Sequence, residues 1–384
     1  MKEYFQVAID QQIERAKELL IKVDDSDVPQ EFLLLSTRCR DEIIRAKEDL
    51  EELQANIELQ HPDLQSVRLR RFRRAVDSIS RQETTGVAAL SRRHEGDIFL
   101  TRLAQAIRAE IKYPFPPPTV VGLSSSYFYI HNDINLMFVP LSEGNFLLHL
   151  PDMYHELGHP LLYDQHSPRT EALQKAADTI LMEAASYLNN ELDIEERRQG
   201  PHELRLYLVL WQRSWWKWIN EFLCDLFAVY TLGPAFVWSH IHLCMKNEHD
   251  PFYVPTRGTS SHPADDARMR LMLMGLERLG FGREVPQLER RWAQYLEIAE
   301  AKSSGAYKRC FPEVLLRQIE ILAYQGIVAT KCRIVDCNTS DPIHSAFNEA
   351  WYQFWHNPYG YIEWEKHKII QLREACGIAP ESSR

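Results

Sequence analysis

Apolar residues recur every three to four positions through the first 112 residues, as they do on the buried face of an amphipathic helix. The acidic residues before Pro29 and the segment His61-Pro62-Asp63 interrupt this pattern. We therefore predict that residues 1–112 form a helical N-terminal region of long helices. The prediction rests on Ile13, Ala16, Leu19, Leu20, Ile43, Ile44, Ala46, Leu50 and Leu53.

The pattern changes after residue 112, where four prolines lie between Tyr113 and Pro118. Proline lacks an amide donor and restricts the preceding residue to extended conformations, so residues 113–119 are predicted to be a linker. Short runs of β-branched and aromatic residues follow and favour a small sheet. The polar His131-Asn132-Asp133 separates the last two runs and indicates a hairpin. The runs are 119–122, 126–130 and 134–139.

Most of the chain beyond the predicted sheet returns to helical spacing. Together with the N-terminal region, this predicts a mainly α (α+β) fold with one small sheet. The predicted helices lie near 170–195, 202–232, 264–279 and 285–302, and further helices are expected from about Pro312 to Cys376.

Composition and charge narrow the class of protein. The chain has 384 residues, of which 45% are hydrophobic, and can bury the core of one large or two ordinary domains. Its formal net charge of -10 argues against a general nucleic-acid binder, which needs an excess of Lys and Arg. The basic run from Arg68 to Arg74 could contact nucleic acid, an acidic lipid surface or an acidic partner, but we favour a solvated helix face paired with nearby acidic residues.

The sequence contains no apolar stretch approaching the roughly 18 to 20 residues that cross a bilayer. The first residues also lack the apolar run of a signal peptide. We therefore expect no membrane span and a cytoplasmic location. The seven cysteines are odd in number and scattered, which indicates reduced thiols rather than a disulfide framework.

The segment His155-Glu156-Leu157-Gly158-His159 has the spacing of a metal site. Residues four apart lie on one face of an α-helix, so His155 and His159 can direct their imidazoles to one ion, with Glu156 beside them. Two neutral imidazoles bind a cation such as zinc, and an adjacent carboxylate can take a proton from water at an open coordination position. The alternative is two ordinary histidines on a surface or core helix.

The residues around this segment indicate where its helix begins and ends. Residues 145–150 are predicted to be extended, Pro151 suits a first helical turn, and Asp152 suits the positive end of a helix. Pro160 directly follows the second histidine and removes the amide that would bond to the Glu156 carbonyl. We expect Pro160 to kink or end the helix.

A hydrolytic metal site needs a third protein ligand, and Glu221 is the best candidate. Glu221 and Asp225 are four residues apart within an apolar stretch and therefore share a helix face. A metal explains a carboxylate at Glu221, and Asp225 can accept the second ring N–H of a ligand histidine. The alternative is that both acids face solvent or pair with Arg213 or Lys217. His166, Glu183 and Glu191 fit less well as third ligands.

A third element lies at Ser261-His262-Pro263. With three ligands already proposed, His262 suits a donor to the developing oxyanion better than a fourth ligand. The alternative is an imidazole that packs at a helix N-terminus or faces solvent. Arg268 falls on the helix after Pro263 and is expected to tie that helix to Asp225 or Glu221.

These three elements resemble the motifs of the gluzincin metallopeptidases, especially the prenyl-protein endopeptidase and heat-shock membrane-protease group. The resemblance covers roughly residues 120 to 275, in the same order along the chain. It consists of His155-Glu156-x-x-His159, Glu221-x-x-x-Asp225 with Ala228 and Gly233, and Ser261-His262-Pro263 with Arg268. The membrane helices of that group have no counterpart in this sequence.

The resemblance implies a zincin-like catalytic domain over residues 120–305, followed by a helical C-terminal region over 306–384. It also implies a zinc peptidase that acts on a protein or peptide, with the substrate pairing to an edge strand within 126–139. His155, His159 and Glu221 would be the zinc ligands, Glu156 the general base and His262 the oxyanion donor.

Two other functions stay open at this point. The first is a zinc-stabilised, non-catalytic binding or regulatory protein, which has no need of Glu156 beside an open coordination position. The second is a nucleic-acid-linked regulator that uses the run from Arg68 to Arg74, and it predicts binding that weakens steeply with salt.

Overall fold

The computed structural model describes residues 2–24, 27–56, 61–125, 127–163, 167–198 and 202–378. Helices predominate among these residues, with one three-stranded sheet, so the predicted mainly α fold with a small sheet is confirmed. The chain divides into two compact units, and each unit takes two separate stretches of the sequence.

The first unit comprises Met1–Gln105 and Pro117–Gly144. In it α2 packs against both α1 and α3, and the apolar positions that predicted helices in this region form its core. A fifth helix, α5, begins in this unit and ends in the second. The helices are α1 (Lys2–Val23), α2 (Leu33–Ala55), α3 (Gln65–Gln82), α4 (Ala88–Arg92) and α5 (Glu95–Glu110).

The basic run lies on α3, and two of its arginines, Arg68 and Arg71, make intramolecular contacts. Arg71 pairs with Asp49 at 3.1 Å and with Glu52 at 2.6 Å, as expected for a helix face with acidic neighbours. Arg68, in contrast, is buried, with its guanidinium 4.7 Å from the centre of the Phe5 ring. The prediction of a wholly solvated face is therefore wrong at Arg68, because its long side chain covers apolar surface between helices.

The sheet contains β1 (Thr119–Ser124), β2 (Tyr129–His131) and β3 (Leu136–Pro140) in the order β1-β3-β2. β2 and β3 are antiparallel, which confirms the hairpin, whereas β1 is parallel to β3. Because β3 is paired on both sides, β2 is the strand within 127–139 that leaves an edge uncovered by another described strand. Ser126, where the substrate-binding segment was predicted to begin, lies outside the described residues.

The second unit comprises Ala106–Pro116 and Asn145–Arg384. The longest helix, α8, packs against α6, α7, α10 and α13 and buries three tryptophans, Trp211, Trp215 and Trp218. The helices here are α6 (Asp152–Tyr163), α7 (Glu171–Arg197), α8 (His202–Leu232), α9 (Pro234–Lys246), α10 (Asp265–Arg278), α11 (Val285–Ile298), α12 (Gly305–Cys310), α13 (Glu313–Ala329), α14 (Pro342–His356) and α15 (Tyr361–Ala375).

The two units do not follow the predicted boundaries at residues 113–119 and 305. The sheet belongs to the unit of the N-terminal helices, because Val121, Leu136 and Phe138 join their hydrophobic core. Residues 106–116, which include two of the four prolines of the predicted linker, belong to the second unit. Regions 120–305 and 306–384 are therefore not separate compact units, and their functional division stays a prediction.

Two observations bear on the environment of the protein. Within the described residues, no helix has both the length and the apolarity needed to cross a membrane. All seven cysteines are free thiols.

Candidate metal centre

The segment His155–His159 lies on α6, which packs directly against α8. A Cβ atom added to Gly158 would lie 2.9 Å from both Cα and Sγ of Cys224, closer than ordinary contact allows. Only glycine permits this approach between the two helices. The motif on α6 is thereby brought against the face of α8 that carries Glu221 and Asp225.

The Gly158→Ala variant tests this contact. Alanine normally stabilises a helix relative to glycine by roughly 0.5–1 kcal/mol. At residue 158 we expect the opposite sign, with a loss of about 1–3 kcal/mol from overpacking, because a backbone atom of α8 has to move. Urea unfolding measures the change. Gly282→Ala is the matched control, since an added Cβ there meets nothing within 4 Å, and equal effects of the two substitutions would contradict this account.

Helix α6 begins at Asp152, as the residues before the motif predict. Residues 147–150, which lead into it, form turns rather than an extended segment. Of the two predicted effects of Pro160, a kink or an end of the helix, the end is excluded, because the helix continues to Tyr163. Pro160 lies in the last turn, where it removes a single backbone hydrogen bond, and the neighbouring Leu157 carbonyl also accepts a hydrogen bond of 2.8 Å from the Tyr113 hydroxyl.

His155 lies between the two acids of α8. Its Nδ1 is 2.9 Å from Asp225 Oδ1, and its Nε2 is 3.4 Å from Glu221 Oε2. Burial favours the neutral ring, but the two carboxylates outweigh it and raise the pKa of His155 to about 10. The same contacts lower the pKa of Glu221 to about 2 against its burial, so this acid stays ionised.

Arg268 supports the same group from α10. Its Nε and Nη2 donate to the two carboxylate oxygens of Asp225 at 2.7 and 2.6 Å, a bidentate ion pair. Asp225 is fully buried and Arg268 is 9% exposed. Asp225 therefore bridges His155 and Arg268, which holds the imidazole in one orientation.

His159 and Glu156 complete the α6 side of the group. The rings of His155 and His159 have their centres 5.1 Å apart. His159 Nε2 is 4.0 Å from Glu156 Oε2, and its Nδ1 is 3.4 Å from Cys224 Sγ. Burial lowers the pKa of His159 to about 4 and raises that of Glu156 to about 7. His159 is therefore neutral near pH 7, and Glu156 exchanges a proton readily there.

His262 approaches the group from the loop before α10. Its Nε2 is 3.7 Å from Glu221 Oε2, and its side chain is 63% exposed. Ser261 Oγ lies 2.9 Å from Nδ1 of the same ring, and the Ser260 hydroxyl donates to the His262 carbonyl at 2.6 Å. The ring thus has one nitrogen towards Glu221 and the other held by serine.

These donors fit a divalent metal ion. Asp225 occupies Nδ1 of His155, so Nε2 is the nitrogen left for a ligand bond. Bonds of about 2.1 Å at tetrahedral angles place a ligand nitrogen and oxygen about 3.4 Å apart, which is the observed separation of His155 Nε2 and Glu221 Oε2. Among the described residues, His155, His159 and Cys224 offer ligand atoms that all lie within 4.8 Å of one another, whereas His155, His159 and Glu221 do not form such a group.

Other candidates from the sequence have different partners. Glu183 accepts a hydrogen bond from Gln318, and Glu191 pairs with Arg309 at 3.3 Å. His166 lies outside the described residues. Neither Arg213 nor Lys217 is paired with Glu221 or Asp225 within the described ion pairs.

Sequence reasoning missed three residues that shape the site, namely Gly158, Cys224 and Tyr113. Gly158 is inside the motif, and a glycine in mid-helix that costs stability is a recognisable sign of close packing. Cys224 is three residues after Glu221, a spacing that places both on one helix face. Tyr113 gives no local signal, because its contact with Leu157 joins residues 44 positions apart.

Comparison of the chain with protein-family models, with curated proteins and with solved structures gives no match.

Proposed function

We propose that this chain is a zinc-dependent peptidase with a zincin-like catalytic region. The observation that carries the proposal is the approach of Glu221 Oε2 to within 3.4 Å of His155 Nε2, with Glu156 buried next to them on α6. His155, His159 and Glu221 would hold the ion. Two imidazoles and one carboxylate favour zinc and leave a coordination position open for chemistry.

Zinc at this position supplies Lewis-acid activation of a water and of the substrate carbonyl near neutral pH. Glu156 takes the proton of the attacking water on its carboxylate and later gives it to the leaving amine as the peptide C–N bond breaks. A pKa of about 7, raised chiefly by burial, suits a group that must both accept and return a proton near neutrality.

His262 would donate a hydrogen bond to the oxyanion that develops on the substrate carbonyl. If the Ser261 hydroxyl donates to Nδ1, the neutral ring carries its proton on Nε2, the nitrogen that faces Glu221. Partial desolvation by the groups around it lowers the pKa of His262, although the side chain is 63% exposed, and this favours the neutral form. Its exposure places it where a bound peptide can reach it.

Asp225 and Arg268 are positioning residues in this proposal. Asp225 accepts from Nδ1 of His155 and directs Nε2 towards the metal, while Arg268 fixes Asp225 by two hydrogen bonds. Such supporting contacts set the orientation and basicity of a histidine ligand.

Cys224 favours the second candidate, a zinc-stabilised non-catalytic protein. Its Sγ lies within 4.8 Å of a nitrogen of both histidines, and a His-His-Cys set resembles structural zinc sites more closely than a His-His-Glu set does.

The variants Glu221→Ala and Cys224→Ser separate the two ligand sets. We expect Glu221→Ala to weaken zinc binding strongly, and Cys224→Ser to leave it within a few-fold of wild type. Competition with a metal-binding dye measures both affinities. If Cys224→Ser weakens zinc binding strongly and Glu221→Ala does not, the third ligand is Cys224 and the structural site is supported.

Metal removal tests the activity itself. A proteome-derived peptide library is incubated with zinc-loaded protein, with chelator-treated protein and with treated protein that has been reloaded with zinc. We expect new peptide termini with the first and third samples and none with the second. If zinc-loaded, folded protein produces no new termini, the non-catalytic function is favoured.

A further inference from the structure

A second group of potential ligands lies on α9 and α10, apart from the His155 group. His240 and Cys244 are four residues apart on α9, and Asp265 is the first residue of α10. His240 Nε2 is 3.6 Å from Cys244 Sγ and 3.9 Å from Asp265 Oδ1. One ligand atom from each residue lies within 4.8 Å of the other two.

The separations suit a tetrahedral ion. Zinc bonds of about 2.3 Å to sulfur and 2.0 Å to nitrogen place these two atoms about 3.6 Å apart at tetrahedral angles, which matches the pair on α9. The carboxylate of Asp265 is slightly too far from His240 Nε2 for both to bind one ion, so it has to move by a few tenths of an ångström. It is free to do so, because its side chain is 23% exposed.

Burial and charge also fit a divalent cation. His240 is 2% exposed and Cys244 is 3% exposed, so polar atoms of both are held away from bulk water. One thiolate, one carboxylate and one neutral imidazole carry two negative charges, which neutralise a divalent ion. A buried site without net charge avoids the large cost of an isolated charge. The nearest fixed cation, Arg268, is already paired with Asp225.

Cys244 also lines a cavity of about 600 Å³. The other lining residues come from the loop after α9 and from the end of α11, including Asp250 and Tyr295. The cavity therefore adjoins the α9 end of the group.

We propose that His240, Cys244 and Asp265 bind a second zinc ion, distinct from the one proposed at His155. Its role is structural, because it joins α9 to the first turn of α10. Arg268 lies one turn further along α10, so the ion holds in place the helix that presents Arg268 to Asp225. The competing account is a metal-free group in which the Cys244 thiol is hydrogen-bonded to its neighbours.

Cobalt substitution tests the proposal, because a cobalt–thiolate bond gives a charge-transfer absorption in the near ultraviolet. Full-length protein is stripped of metal, reloaded with Co²⁺, and analysed for bound cobalt and for this absorption. We expect the wild type to show the absorption and Cys244→Ser to lose it together with one equivalent of cobalt. Cys310→Ser, which removes another buried thiol of the same unit, should retain both.

Two further variants exclude confusion with the first site. Glu221→Ala should lose cobalt but keep the charge-transfer absorption, and Cys224→Ser should keep it as well.

Asp265→Asn changes a partly exposed side chain and covers the case in which Cys244→Ser does not fold. Cobalt binding to this variant, measured by titration of the same absorption, should be at least tenfold weaker than in the wild type.

Each outcome either supports or overturns the second metal site. Absence of the absorption in folded, cobalt-treated wild type overturns the second site. So does an absorption that survives Cys244→Ser, or an unchanged cobalt affinity in Asp265→Asn. A protein that binds cobalt with the Cys244-dependent absorption but cleaves no peptide would support the second site. The same result would contradict only the proposed peptidase function.

Discussion

The Glu156→Gln variant is expected to lower the rate of peptide cleavage by about 10²–10⁴-fold, the usual contribution of a general acid–base group. Glutamine preserves the size of the side chain but cannot take a proton from water. Because Glu156 is not among the proposed zinc ligands, the zinc content should stay at the wild-type level. Initial rates on a peptide found in the library screen give the first quantity, and metal analysis of the same sample gives the second.

Glu297→Gln is the matched control for this variant. Glu297 is an exposed residue of α11, and its substitution should change neither rate nor zinc content. A Glu156→Gln protein that cleaves at the wild-type rate would remove Glu156 from the mechanism. Loss of zinc together with activity would instead make Glu156 a ligand or a structural residue.

Arg268→Met is expected to produce the largest loss of stability. The substitution leaves the fully buried Asp225 without its bidentate partner, and removal of one member of a buried ion pair typically costs about 3–5 kcal/mol. Zinc affinity should also fall by roughly 10–100-fold, because Asp225 no longer holds His155 firmly. Denaturant unfolding of the zinc-free protein and a zinc titration give the two values.

Arg317→Met provides the comparison, since Arg317 pairs with Glu313 at 2.8 Å on the surface of α13 and its side chain is 64% exposed. Surface pairs of this kind contribute little to stability, so we expect little measurable change. If Arg268→Met is no more destabilising than Arg317→Met and binds zinc equally well, Arg268 does not have the positioning role.

The sequence was sufficient to predict the elements of the site but not the way they pack. Glu221 and Asp225 could be placed on one helix face from their spacing, because helix periodicity is a local property. The bidentate contact of Arg268 with Asp225 was one of two expected pairings, and the structure selects it. Such a choice depends on the separation between α8 and α10, which no local pattern encodes.

The residues that sequence reasoning missed depend on contacts between distant positions. His240 and Cys244 have helical spacing, but Asp265 joins them only through the packing of α10 on α9. The sheet packs with the N-terminal helices for the same reason. Its strands are recognisable locally, whereas the core that Val121 and Phe138 join is set by tertiary contacts.

The discontinuity of the second unit governs how the protein can be divided. A fragment that begins at residue 145 would contain every proposed zinc ligand but would lack residues 106–116. It would lose three sets of hydrogen bonds. These join the Tyr113 hydroxyl to the Leu157 carbonyl, the Arg333 amide to the Ile111 carbonyl, and the first amides of α14 to the Glu110 carboxylate. Simple truncation is therefore a poor route to a minimal fragment that carries the proposed site, and a fragment in which a short loop replaces residues 117–144 retains all three contacts.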